Sequence, residues 1–174
     1  MKQYILLLLL FNFQLFAQQN NQLWKGYFSY NEIVDVESAS QTVFAATQNA
    51  LFSKETSLSD LNIYNSISGL KSDVITSIHH SNGYNKTFVG NSNGLILIQN
   101  ADGSITTKVD VIVEVPVAAN KKKINDFYEF NGRLYVATDY GISVIDLATS
   151  EFIITYFIGP SGEETEVLQT TILN

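Results

Sequence analysis

The sequence predicts an all-β fold of the β-propeller class. Three observations carry this prediction: an abundance of strand-forming residues, a segment that recurs three times at near-constant spacing, and turn signals at matching places within the copies. Of 174 residues, 45% are hydrophobic, and Phe and Tyr number 11 and 9. With frequent Val, Ile and Thr, these residues suit a pleated, half-buried surface. A charged fraction of 16% belongs to a globular chain, not a disordered one.

The recurring segment aligns without gaps. Its copies are Phe44-Ala45-Ala46-Thr47-Gln48-Asn49-Ala50-Leu51-Phe52, Phe88-Val89-Gly90-Asn91-Ser92-Asn93-Gly94-Leu95-Ile96 and Tyr135-Val136-Ala137-Thr138-Asp139-Tyr140-Gly141-Ile142-Ser143. Each begins with an aromatic, has a small residue third and Leu or Ile eighth. The aromatics are 44 and 47 residues apart, counting 44 to 88 and 88 to 135. Two apolar residues three apart precede each copy: Ile33 and Val36, Ile75 and Ile78, Ile124 and Phe127. A period in the forties with four strands per unit matches propeller blades. A two-sheet sandwich of hairpins is the competing architecture, but sandwiches rarely repeat at a fixed interval.

The elements follow in chain order. Lys2, the apolar run Tyr4–Leu10 and its extension to Phe16, then Ala17 before Gln18-Gln19-Asn20-Asn21-Gln22, describe a secretory signal peptide over 1–17. An N-terminal membrane anchor is the alternative, disfavoured by a small residue and an amide run at the exit. Nothing after Gln18 is apolar enough to span a membrane. Residues 18–174 are then the N-terminal part of a propeller, with blades at roughly 31–70, 71–118 and 119–160.

Strand composition at Leu23–Tyr30 suggests a segment that completes a blade elsewhere in the ring, leaving Trp24, Tyr27 and Phe28 under-buried here. In the first repeat, Ala50 stands where the others have Gly, so Asn49 is expected to carry the positive φ of that turn. In the second, strands are expected at Val74–His79, Lys86–Val89, Gly94–Gln99 and Ile105–Val111. Both Asn93 and Gly94 are expected at positive φ. In the third, they are expected at Lys123–Phe130, Arg133–Ala137, Ile142–Asp146 and Glu151–Phe157, with a turn at Asn131-Gly132. After a loop at Ile158–Gly162, Val167–Ile172 is expected to open a fourth inner strand. Three blades cannot close a ring, so the natural protein is expected to continue. The small residues Ala46, Gly90 and Ala137 are expected where blades crowd together.

Charge and composition exclude several functions. The formal charge is −7; removing Lys2 with the leader leaves 9 basic against 17 acidic residues, or −8. That sign disfavours nucleic acid as a partner. With no cysteine there is no disulfide, thiolate metal site, cysteine nucleophile or lipidated N-terminal Cys. His79 and His80 are strand neighbours, point to opposite faces and cannot share a metal ion; they read as a strand end entering a loop.

Asn91-Ser92-Asn93-Gly94 lacks the first Asp of a calcium loop, and Asp102 stands where its Glu would be, so a hairpin turn explains it. Asn100–Gly103 is likewise a turn. Asn85-Lys86-Thr87 matches a glycosylation sequon. Lys121-Lys122-Lys123 reads either as a solvated loop or as a contact for an anionic group, and Glu163, Glu164 and Glu166 as a solvated acidic loop. No Gly-x-Ser-x-Gly or Ser/His/Asp set occurs. No catalytic, metal or cofactor residue is nominated, and no ligand-binding residue is assigned.

The runs Tyr135-Val136-Ala137-Thr138 with Gly141-Ile142, and Phe88-Val89-Gly90-Asn91 with Gly94-Leu95, resemble propeller repeats of bacterial surface proteins, sensor ectodomains included. A closer likeness spans most of the mature chain. It is carried by Phe16-Ala17-Gln18, Trp24, Tyr27–Asn31, Ala46-Thr47, Ala50–Phe52, Gly90, Asn93–Ile96, Ile124-Asn125, Tyr140–Val144, Asp146-Leu147 and Thr155–Gly159. In these the chain is similar to the first propeller of the PorZ family of the type IX secretion machinery of Bacteroidetes.

That resemblance implies a large outer-membrane surface protein with two propellers and a C-terminal β-domain. It implies a non-enzymatic role beside a sortase-like peptidase, binding an anionic lipopolysaccharide for attachment to cargo. It carries over no site residue. The alternatives are a sensor ectodomain, which a downstream membrane helix and kinase would reveal, and a polysaccharide-active propeller enzyme, which acid/base residues facing the axis in later blades would reveal.

Overall fold

A computed structural model describes residues 30–71, 74–113 and 115–171. The leader and the expectation for Trp24, Tyr27 and Phe28 lie outside them. Twelve strands form three four-stranded antiparallel sheets, each a meander in sequence order. Blade 1 contains β1 (Ile33–Ala39), β2 (Thr42–Thr47), β3 (Ala50–Glu55) and β4 (Leu61–Tyr64). Blade 2 contains β5 (Ile75–Ser81), β6 (Lys86–Asn91), β7 (Ile96–Gln99) and β8 (Ile105–Lys108). Blade 3 contains β9 (Ile124–Phe130), β10 (Arg133–Thr138), β11 (Gly141–Asp146) and β12 (Phe152–Tyr156). Three sheets that follow one another in the sequence and meet through their inner strands are not the two facing sheets of a sandwich. The inner strands β1, β5 and β9 pack one against the next, so the blades stand side by side in an open arc.

The repeat extends to the backbone. Every inner strand carries a bulge one residue after its start, where the pairing skips Val34, Thr76 or Asn125. Such a bulge adds local twist at the same place in each blade.

The core lies between blades. Leu51, Phe44 and Ala46 of blade 1 pack with Ile78, Val89 and Leu97 of blade 2. On the other side, Phe88, Ile96 and Ile98 pack with Ile124, Phe127, Leu134 and Val136 of blade 3. Adjacent strand residues face opposite ways. The unbroken apolar runs Phe88-Val89 and Ile96-Leu97-Ile98 are therefore what a sheet buried on both faces requires. The small third position is also explained. Ala46, Gly90 and Ala137 are fully buried, and a Cβ on Gly90 would lie 2.5 Å from Ile124 Cγ2 of the next blade.

Several local expectations are corrected. Asn49 does not take a positive φ, and neither does Ala50; the Gln48-Asn49 turn closes with Thr47 paired to Ala50, so no left-handed residue is needed. Of Asn93-Gly94 only Gly94 has positive φ. Asn93 instead accepts the Leu95 N–H through its side chain at 3.0 Å, an Asx turn. Asn131 and Gly132, by contrast, both take positive φ. The outer strand of blade 2 stops at Lys108 and gives way to a short helix, α1 (Asp110–Val113), which buries Val111. Tyr140, in a two-residue turn, is fully buried. Its carbonyl accepts Thr165 N–H, its ring meets Phe157, and its hydroxyl bonds Ser143 at 2.6 Å.

Residues 157–171 form no strand, although one was expected from Val167. The segment nonetheless docks as an incoming inner strand would. Val167 N–H bonds Thr138 O at 2.9 Å, much as Ile75 N–H bonds Gln48 O between blades 1 and 2. It makes single bonds to blade 3 and has no ladder partner among the described residues.

Candidate functional site

Meander topology places inner-strand starts and β2–β3-type turns at one end of the arc. The β1–β2-type and β3–β4-type turns lie at the other. A polar concavity lies at each end.

The first is an axial mouth of about 300 Å³, lined by Asp35, Thr76, Ser77, Asn125, Asp126 and Gln169, among others. All but Gln169, which lies in the strandless segment 157–171, come from successive inner strands at the bulge, which turns polar groups of each blade towards the next. The two carboxylates and Thr76 are already engaged, whereas Asn125 Oδ1 is buried with no hydrogen-bond partner among the described residues. Asp35 Oδ2 accepts Ile78 N–H at 2.8 Å and the Ser77 hydroxyl at 3.1 Å. Thr76 donates to Ile124 O at 2.6 Å. Asp126 Oδ2 accepts Thr170 N–H at 2.9 Å, and Asn125 Nδ2 donates to Val167 O at 3.0 Å. Asp35 and Asp126 hold the same repeat position and perform the same act: each caps the N–H three residues into the next inner segment. Burial raises the Asp126 pKa, with the Asp35 charge adding to it and the Thr170 N–H opposing it. The mouth is stitched, not a free set of catalytic carboxylates.

The second concavity is a groove of about 420 Å³ between blades 1 and 2 at the other end. Phe44, Tyr64, His80, Asn62, Asn100 and Glu55 are among its lining residues. Phe44 and His80 stack at 4.6 Å with their planes 15° apart. His80 also bonds Thr87 Oγ1 through Nδ1 at 2.9 Å. Burial, then the neighbouring His79, lowers its pKa.

The two histidines do face opposite ways, but they sit within β5, not at its end. His79 lies between two carboxylates. Its Nε2 is 3.2 Å from Glu129 Oε2 of β9, and its Nδ1 is 3.7 Å from Glu37 Oε1 of β1. Sequence reasoning missed this contact, because 42 and 50 residues separate the partners and only blade stacking joins them. Among the described residues, no group of three His, Asp or Glu side chains is arranged to hold a metal ion. The carboxylates address opposite ring nitrogens, so they do not converge on one point with the imidazole.

Within the basic run the three lysines differ: Lys121 and Lys123 are exposed and Lys122 is buried. Lys122, at its centre, is 5% exposed. Its Nζ donates to Ile112 O and Val115 O at 2.5 and 2.8 Å, pinning the connection that follows blade 2. Lys86, inside the sequon, is committed too: its Nζ donates to Leu147 O, Ala148 O and Ser150 Oγ of blade 3. Asp102 accepts the Ser104 hydroxyl at 2.6 Å and the Ser104 N–H at 2.9 Å. Those bonds hold its pKa below the usual value and make it a turn residue.

Comparison with known proteins gives a consistent picture. The family described as the PorZ N-terminal β-propeller domain of the type IX secretion system matches residues 43–174. No curated protein matches the chain. Among solved structures, PorZ of Porphyromonas gingivalis, described as an essential bacterial surface component of that system, superposes with a TM-score of 0.68 at 23% identity. That match covers 77% of this chain but only 18% of the other. The extracellular domain of a putative one-component system from B. thetaiotaomicron superposes at 0.58 with 16% identity, covering 75% and 18%. A chain of the mitotic checkpoint complex superposes at 0.52 with 14% identity, covering 84% and 48%. At these identities, the superpositions establish the propeller fold.

Proposed function

The chain belongs to the PorZ N-terminal β-propeller family of the type IX secretion system, and from that premise we propose that it serves as a non-enzymatic surface scaffold in that machinery. In this role, the whole protein holds an anionic lipopolysaccharide and a sortase-like peptidase together while cargo is attached. The family match over 43–174 is the observation that carries the reading. The stitched axial mouth supports it: carboxylates spent on backbone N–H groups of the next blade stiffen a platform, whereas a general acid or base must be free to exchange protons with a substrate. No helix among the described residues is long and apolar enough to cross a membrane.

The test uses the full-length protein. Purified, it should retain anionic lipopolysaccharide on a column and co-elute with the sortase-like peptidase. Cells lacking it should release cargo without attached lipopolysaccharide. Normal cargo attachment in those cells would sink the proposal.

A further inference from the structure

Inner strands are where blades meet most closely, and there one imidazole stands between two carboxylates from different blades. His79 is 14% exposed, while Glu37 and Glu129 are about twice as open. The other charged groups on the three strands are engaged or turned away. Asp35 of β1 is bound to Ser77 and Ile78. Asp126 of β9 is bound to Thr170. His80 of β5 points to the opposite face, against Phe44 of β2. Lys86 of β6 is held by the loop after β11.

We propose that Glu37, His79 and Glu129 form a proton-operated clasp across the three blades, closed when the imidazole is charged and half-open when it is neutral. The reason is donor arithmetic. A neutral imidazole carries one N–H, and an imidazolium carries two. Only the charged ring can hydrogen-bond Glu129 while presenting an N–H and a positive charge to Glu37 as an ion pair. On losing its proton, the ring keeps one carboxylate and leaves the other facing a lone pair. The 3.7 Å leg to Glu37 is the weaker one. It exceeds hydrogen-bonding distance, so deprotonation loosens blade 1 against blade 2 first.

Burial alone would lower the His79 pKa, but the hydrogen bonds and charges of the two glutamates outweigh it and raise the pKa above 6.5. The sign follows. The clasp's stabilisation is fully present below pH 6.5 and is lost as pH rises through the raised value. The inference rests on the inner-strand geometry and is independent of the proposed function.

Site-resolved histidine C2 hydrogen–deuterium exchange on the full-length protein measures both pKa values directly. His79 should titrate above 6.5 and His80 below it. In E37Q/E129Q, the His79 value should fall below that of the unchanged protein. The melting midpoint should drop by about 3 °C more in the unchanged protein than in H79Q between about pH 6 and pH 8.5. If H79Q does not fold, the exchange measurement on E37Q/E129Q decides. His79 titrating at or below 6.5, a value unmoved by the double substitution, or an H79Q profile parallel to the unchanged one would each overturn the clasp.

Discussion

Single positions in this chain are set by what the neighbouring blade leaves room for. Gly90 shows this most sharply, because any Cβ there meets Ile124 and Phe127. Gly90→Ala should cost about 1–3 kcal/mol in urea unfolding through overpacking. Ala46 and Ala137 already carry a Cβ at the same repeat position, so the limit belongs to the blade 2–3 contact and not to the repeat. Lys122 makes the complementary case. Its charge is buried because two carbonyls accept from it, and Lys122→Met strands both. That substitution should cost about 1–3 kcal/mol, whereas K121M and K123M, at exposed positions, should stay within about 0.5 kcal/mol. The sequence shows three equal lysines; only the position of α1 and the connection after it singles out the middle one.

At the scale of elements, the bulge in each inner strand does the joining. It turns Asp35 towards the Ile78 N–H of β5 and Asp126 towards the Thr170 N–H, charge-assisted bonds where no ladder runs, while β5 is linked to β9 by the neutral Thr76–Ile124 bond. Asp35→Ala should lower stability by about 2 kcal/mol and speed hydrogen exchange at the Ile78 amide specifically. Exchange at Ile78 unchanged from the parent would show that the carboxylate is not what protects it. Strand boundaries were legible in the sequence wherever a turn dipeptide sat between apolar alternations, as at Asn131-Gly132. They were misread where a side chain substituted for backbone geometry, as at Asn93. They were also misread where a helix served the core better than an extended strand, as at Asp110–Val113.

At the scale of the molecule, the described residues form an arc with a separate core at each of its two blade interfaces. Leu51→Ala acts in the first and Leu134→Ala in the second. Each should cost about 2–5 kcal/mol, and because the clusters share no member, the losses should add to within about 0.5 kcal/mol. The same repeat position also reports its surroundings. Ile78 and Phe127 are 3% and 6% exposed against the preceding blade, while Val36, with no described sheet before it, is 59% exposed. Period, the three repeats and their small third positions were legible in the sequence alone, since hydrophobic alternation and chain reversal are local properties that recur with the repeat. The axial mouth, the buried Lys122 and the Glu37–His79–Glu129 contact were decided only by tertiary structure. In the mouth and the Glu37–His79–Glu129 contact the hydrogen-bonded or paired groups lie up to 50 residues apart and are brought together by the packing of one sheet on the next, whereas Lys122 is fixed by the path of the connection after α1.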